Sequence, residues 1–316
     1  MTKPTDLLSK AEIREFTRAS DLEGWRSVLT DWGLIAAALG LVAVWPNVLT
    51  GLVALVVLGG RQLGLAILTH ECAHHSLFAT RWLNDVVGVW IAGSPIWLDV
   101  HRYRLHHRAH HLNTGTDDDP DLALTTGFPT TRASLARKFA RDLTGLTAAK
   151  RVIAQLAMDF GFLHYTASTD ARRRTGLSAG ERLAMGARHL APVVASNAVL
   201  FGVLALLGQP WLYLLWVGAW FTTYNLVLRI RSIAEHAVME RSEDPFTNTR
   251  TTLVSPLERF LMAPHHVNYH LEHHFIMGVP HWRLPALHAR LTELGVVDEA
   301  NTVHGYTTVL GRIATA

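Results

Sequence analysis

The chain has 316 residues, 49% of them hydrophobic and only 17% charged, with a formal net charge of +3. The charged share lies below the roughly 25% of ordinary soluble domains. That points to a membrane protein, and the small basic excess suits anionic lipid and excludes a nucleic-acid-binding surface. A single cysteine, Cys72, excludes intramolecular disulfides and thiol-based metal sites.

The first 30 residues are polar, carry both signs of charge and lack the apolar core of a cleavable signal peptide. Membrane insertion is therefore expected to use an internal apolar segment. Trp32–Gly60 contains no Asp, Glu, Lys or Arg. It divides at Trp45-Pro46-Asn47, and helices reaching back to about Glu23 and forward to about His74 make each half long enough to span a bilayer. The predicted first hairpin covers about 25–70. Val86–Leu98 is apolar but too short to span and predicts an interfacial or re-entrant helix. Residues 112–188 are polar and basic with helical patches, and predict a cap lying on the membrane surface. His189–Leu228 is again free of charge and divides at Gly208-Gln209-Pro210 into two runs of about 20 residues, a second hairpin at about 189–230. Ser9 and Glu12, Ser178 and Glu181, and Ser255 and Glu258 each have capping-box spacing, with Pro256 at the first helical position of the last.

The two hairpin turns carry no Lys or Arg. Arg61, Arg81, Arg102, Arg104, Arg108, Arg172-Arg173-Arg174, Arg229 and Arg231 all fall on the opposite side, which the positive-inside rule assigns, with both termini, to the cytoplasm. The expected architecture is all-α integral membrane: four transmembrane helices as two hairpins, an interfacial helix, and a cytosolic helical cap from about 99–188 and 231–316. The whole chain, 1–316, is read as one domain.

The 19 histidines are concentrated on that same side, and none precedes His70. His70 and His74 are spaced i, i+4 and share a helix face; alone, such a pair is as readily packing or capping. His107, His110 and His111 are spaced i, i+3, i+4, and His270, His273 and His274 repeat the pattern. A solvated surface helix has no reason to repeat HxxHH. His236 follows the last span. His101, His106, His265 and His266 are not assigned by spacing. Imidazoles could not converge while protonated, and metal binding holds them neutral. Nine nitrogen donors exceed the needs of one ion, so two ions are implied, and no catalytic residue beyond them. Imidazole suits Fe, Zn, Cu and Ni alike. Glu71, Asp119, Asp121, Glu235 and Glu272 are candidates to accept the second ring N–H of these histidines, or are simply solvated charges.

His70-Glu71-Cys72-Ala73-His74-His75, the HHRAHH run with its following DDDPD, and NYHLEHHFIMGVPHWRLPALH resemble the three histidine boxes of the membrane fatty acid desaturase superfamily, and RSIAEH resembles the additional histidine of many members. The resemblance covers about residues 30–290. It implies a mushroom-like fold, two non-haem iron ions, O2 as co-substrate, and a separate ferredoxin-type or cytochrome b5-type electron donor. By matching positions it implies His70, His74, His107, His110, His111, His236, His270, His273 and His274 as ligands, with His75 and His106 as weaker candidates. The activity implied is formation of a C=C bond in a fatty acyl lipid. The alternatives are hydroxylation or ketolation of a carotenoid, alkane or other terpenoid lipid at the same site, or a zinc-binding membrane protein or transporter. A groove for an apolar chain would draw on Trp90, Trp97, Trp216 and Tyr224, unless these anchor at the lipid interface. Arg172-Arg173-Arg174 suits an acidic donor or anionic headgroups.

Overall fold

The computed structural model describes residues 2–315 and is mostly helical. Helix α1 spans Asp21–Val44; Ser20 caps it by accepting from the Glu23 N–H, and Asp21 and Glu23 complement its N-terminal dipole. The chain turns at Trp45-Pro46-Asn47 and re-enters as α2, Val48–His74, capped by Asn47 through the Thr50 N–H. The predicted first hairpin is present, a few residues longer at each end.

Helix α2 is the axis of the molecule. From Leu58 to Ala73 almost every side chain is buried, because α1, the second hairpin and the C-terminal segment pack around it. Two glycines permit close approach. A Cβ on Gly64 would stand 2.3 Å from Asp31 Oδ2 on α1, and one on Gly59 would stand 2.3 Å from Thr223 Oγ1. Asp31 is fully buried and pairs with the buried Arg61 at 2.9 Å, so a charge pair lies at the edge of the first apolar stretch.

The interfacial segment is three short pieces rather than the single helix predicted: Arg81–Val87, a π-helical turn at Gly88–Gly93 and a 3-10 turn at Ser94–Ile96. Pro95, which lacks an N–H and constrains the residue before it, favours the break. Helix α3, Val100–Asn113, follows; the Asp99 side chain accepts from the His101 and Arg102 N–H groups. The surface cap contains helices Arg132–Leu143 and Leu146–Asp159. It is clamped to the rest by Asp142–Arg229 and Asp159–Arg102 pairs whose carboxylates are fully buried.

Helix α4, Ala179–Leu206, begins well before the charge-free run, with Ser178 and Glu181 forming the capping box. Only 6% of its most apolar window is buried. After Gly208–Pro210 the chain does not form one continuous fourth span, contrary to expectation. Helix α5, Tyr213–Phe221, stops at Thr222 (φ −124°, ψ −89°), and α6, Thr223–His236, restarts at once. Polar side chains satisfy the interrupted ladder: Thr222 Oγ1 donates to the Gly218 carbonyl, Thr223 Oγ1 to Leu55, and Asn225 Nδ2 to Trp220. Among the described residues, three helical stretches, ending at Val44, His74 and Leu206, are long and apolar enough to cross a membrane.

Two short parallel strand pairs depart from the all-α expectation. Thr251–Leu253 pairs with Thr302–His304, and Thr130–Thr131 with Ala314–Thr315. The first pair ties the C-terminal segment to itself, and the second fastens its end to the surface cap. The last functional helix, α7, is only His270–Phe275.

Candidate metal centre

Four helix segments aim imidazoles at one region: the final turn of α2 (His70, His74), α3 (His107, His110, His111), the last residue of α6 (His236) and α7 (His270, His273, His274). They divide into two groups. His70, His74, His107, His111 and His273 form one; His110, His236, His270 and His274 form the other. Within each, one nitrogen per residue lies within 4.8 Å of all the rest.

The division follows from helix geometry. At about 100° per residue, positions i and i+4 diverge by about 40°, whereas i+3 and i+4 diverge by about 100°. Each HxxHH therefore sends its outer pair to one group and its middle histidine to the other. On α3 the pair His107 and His111 joins the five-histidine group and His110 the four. On α7 the pair His270 and His274 joins the four and His273 the five.

Inside the groups the ring nitrogens face one another. His107 and His111, His111 and His273, and His236 and His270 each approach to 2.9 Å through their Nε2 atoms. Both ring nitrogens of His70, and Nε2 of His74 and His274, are buried without a hydrogen-bond partner. Such orphans are costly in a native interior, and a cation bound between them would satisfy them, so the donor set fits imidazole-bound metal. Burial, reinforced by neighbouring imidazoles, holds His107, His111, His270, His273 and His274 well below the usual histidine range. They are neutral, the state a ligand requires. His110 goes the other way. Burial opposes its protonation, but the Asp119 hydrogen bond and the charge of Asp121 outweigh that.

The acidic residues sort by geometry. Asp119 Oδ1 lies 2.8 Å from His110 Nδ1. Glu235, paired with Arg231, lies 3.3 Å from His270 Nδ1. Glu71 Oε1 is 3.4 Å from His70 Nδ1, while its Oε2 accepts from Ser76 Oγ and the His281 N–H. Asp121 contacts His106 at 2.8 Å and stands 3.9 Å from His110. Glu272 does not reach the groups. It projects from the far side of α7 and binds His288 Nδ1 (2.6 Å) and Thr251 Oγ1.

Of the weaker candidates, His75 is the left-handed C-cap of α2 (φ 56°) and lies outside both groups. His106 is outside too, held by Asp121, and His101 is exposed. Tyr103 stacks on His107 with ring centroids 5.1 Å apart. A polar cavity of about 40 Å³, lined by Tyr103, His107, His110, Asp119, Asp121 and Glu235 among others, has room for one or two waters. Of the four aromatics expected to line an apolar groove, three pack in or against one core cluster. Trp216 and Tyr224 are core residues, Trp97 stacks on Trp220, and Trp90 is 48% exposed.

Sequence spacing did not find His281. It is buried, its Nε2 is 2.8 Å from Ser27 Oγ, and its ring lies against His265 and His266. A lone histidine beyond a motif gives no periodic signal.

A family model described as fatty acid desaturase matches residues 43–306, a range that contains all nine clustered histidines. The sn-1 acyl-lipid omega-3 desaturase (ferredoxin) of Nostoc sp. is 25% identical over 70% of this chain and 61% of its own length. The chain thus spans less than two thirds of that relative. The sn-1 oleoyl-lipid 12-desaturase of Synechocystis sp. is 26% identical over 86% of this chain and 76% of its own. Dihydrorhizobitoxine desaturase of Bradyrhizobium elkanii is 26% identical over 84% and 74%. With the family match covering most of the sequence and both histidine groups inside it, the chain belongs to the fatty acid desaturase family.

Proposed function

We propose that the chain is a multi-pass membrane desaturase that forms a C=C bond in a fatty acyl lipid, using O2 at a di-iron centre. His70, His74, His107, His111 and His273 hold one ion; His110, His236, His270 and His274 hold the other. The observation that carries this reading is the pair of buried imidazole groups, several of whose nitrogens have no hydrogen-bond partner. In the overall reaction CH2–CH2 becomes CH=CH, while O2, two electrons and two protons become two waters. Iron held there supplies what no side chain can, an oxidant able to take hydrogen from an unactivated methylene.

The protein's part is to position and to shelter. Asp119 receives the Nδ1–H of His110 and fixes which nitrogen faces the group. Glu235 Oε1 lies 3.3 Å from His270 Nδ1, close enough to steady that ring by charge. Tyr103 covers His107. The electrons come from a separate donor, of ferredoxin type as in the name of the Nostoc relative or of cytochrome b5 type. Helices α1, α2, α4 and the broken α5–α6 span the membrane. The asymmetry of Lys and Arg supports histidine groups and both termini on the cytoplasmic side. The chain acts as one domain.

Protein purified from iron-replete cells is expected to carry about two irons per chain, as two-metal sites do. Stoichiometric zinc without iron overturns the redox reading. Lipid profiling of an expressing host is expected to show new double bonds in total fatty acids. Oxygenated carotenoids from a pigment-producing host, with no new double bond, would replace desaturation by hydroxylation or ketolation.

A further inference from the structure

Helix α7 is short for its task. Its six residues carry three of the nine clustered imidazoles, and so brief a helix cannot fix its own orientation. Both flanks are tied instead to the first hairpin. Upstream, His265 Nε2 lies 2.7 Å from Asp31 Oδ2. Downstream, His281 Nε2 lies 2.8 Å from Ser27 Oγ, and the His281 N–H donates to Glu71 Oε2 at 3.0 Å. Ser27 and Asp31 are i, i+4 on α1, one face meeting both ends of the α7 segment. All four side chains are buried or nearly so. Asp31 is itself fixed by Arg61. The upstream pin holds a left-handed backbone at His265 (φ 52°) and His266 (φ 54°), the kink that turns the chain into α7.

We propose that Ser27 and Asp31 are positioning residues of the metal centre. Acting through His281 and His265, they hold α7 in register with the last turn of α2, so that His273 meets His70 and His74. This rests on the proposed function. It assigns roles to Ser27, Asp31, His265 and His281, none of which is placed among the ligands.

The test uses the full chain in detergent, stripped of metal and titrated anaerobically with Fe(II). His265→Asn suits the left-handed backbone and leaves Asp31–Arg61 intact; it is expected to lower Fe(II) affinity by about 10- to 100-fold. Ser27→Ala is expected to lower it by about 10-fold, and Ser27→Thr, which keeps the hydroxyl, to restore it. Helical content by circular dichroism stays at the wild-type level in all three. Mössbauer spectra of loaded His265→Asn and Ser27→Ala are expected to show altered iron environments, since α7 supplies His273 to one group and His270 and His274 to the other. Folded His265→Asn and Ser27→Ala chains with wild-type Fe(II) affinity and spectra overturn the inference alone. A wild-type chain that binds no Fe(II) overturns the proposed function, and the inference with it.

Discussion

His110 and His273 are the residues through which two motifs serve two groups. Each is the middle member of its HxxHH, turned by about 100° from the histidine that follows it. The five-histidine group keeps four donors after any single loss, whereas the four-histidine group keeps three. His110→Ala and His270→Ala are therefore expected to bring turnover below detection and to release iron, as measured by product formation and metal analysis. The acids separate in the same way. Asp119→Asn should weaken metal binding by about 10- to 100-fold, because it loosens His110. Glu272→Gln should leave iron content unchanged and lower stability by about 1–3 kcal/mol, because it strands His288 and Thr251. Equal metal loss in both variants would contradict this assignment. Much of this was legible in the sequence: spacing alone put the pairs on common helix faces. Glu272 was also open to the same geometry, since position i+2 from His270 faces away. His265 and His266 were visible only as unassigned histidines. Their left-handed backbone, which costs about 1–2 kcal/mol per residue, is set by tertiary contacts to Asp31 and the neighbouring rings.

At the scale of elements, charge-free length and turn residues located the first hairpin, because Ser20 and Asn47 cap and Trp45-Pro46-Asn47 turns. The same reasoning missed the break at Thr222, since apolar run length carries no information about helix continuity. That break depends on threonine and asparagine side chains finding carbonyl partners and on Gly59 letting α2 close upon it. Gly59→Val would drive a Cβ into Thr223 and is expected to cost about 1–3 kcal/mol, read as a lower unfolding midpoint in detergent. An unchanged midpoint would mean that α2 and α6 can part without penalty. The strand pairs, 251–253 with 302–304 and 130–131 with 314–315, were equally hidden, being too short for any period to register.

For the whole molecule, the buried imidazoles make the metal-free chain sensitive to acid. His107, His111, His270, His273 and His274 are depressed from the ordinary value near 6.5 by burial first and by one another second. When the chain unfolds, these side chains take up protons below about pH 6.5; when it is folded, they stay neutral. Stability of the metal-free chain is thus fully present above about pH 6.5. It falls as pH drops below that, by up to about 1.4 kcal/mol per pH unit for each such imidazole. Thermal unfolding of metal-stripped protein between about pH 7.5 and 5.5 checks this, and a flat midpoint would refute it.

The crossed allocation of α3 and α7 has a consequence for uptake. An ion captured in either pocket would immobilise both helices and so lessen the ordering the other pocket requires. Filling is then expected to be cooperative. In native mass spectrometry at half-saturating Fe(II), chains should be found empty or doubly loaded, with singly loaded ones scarce.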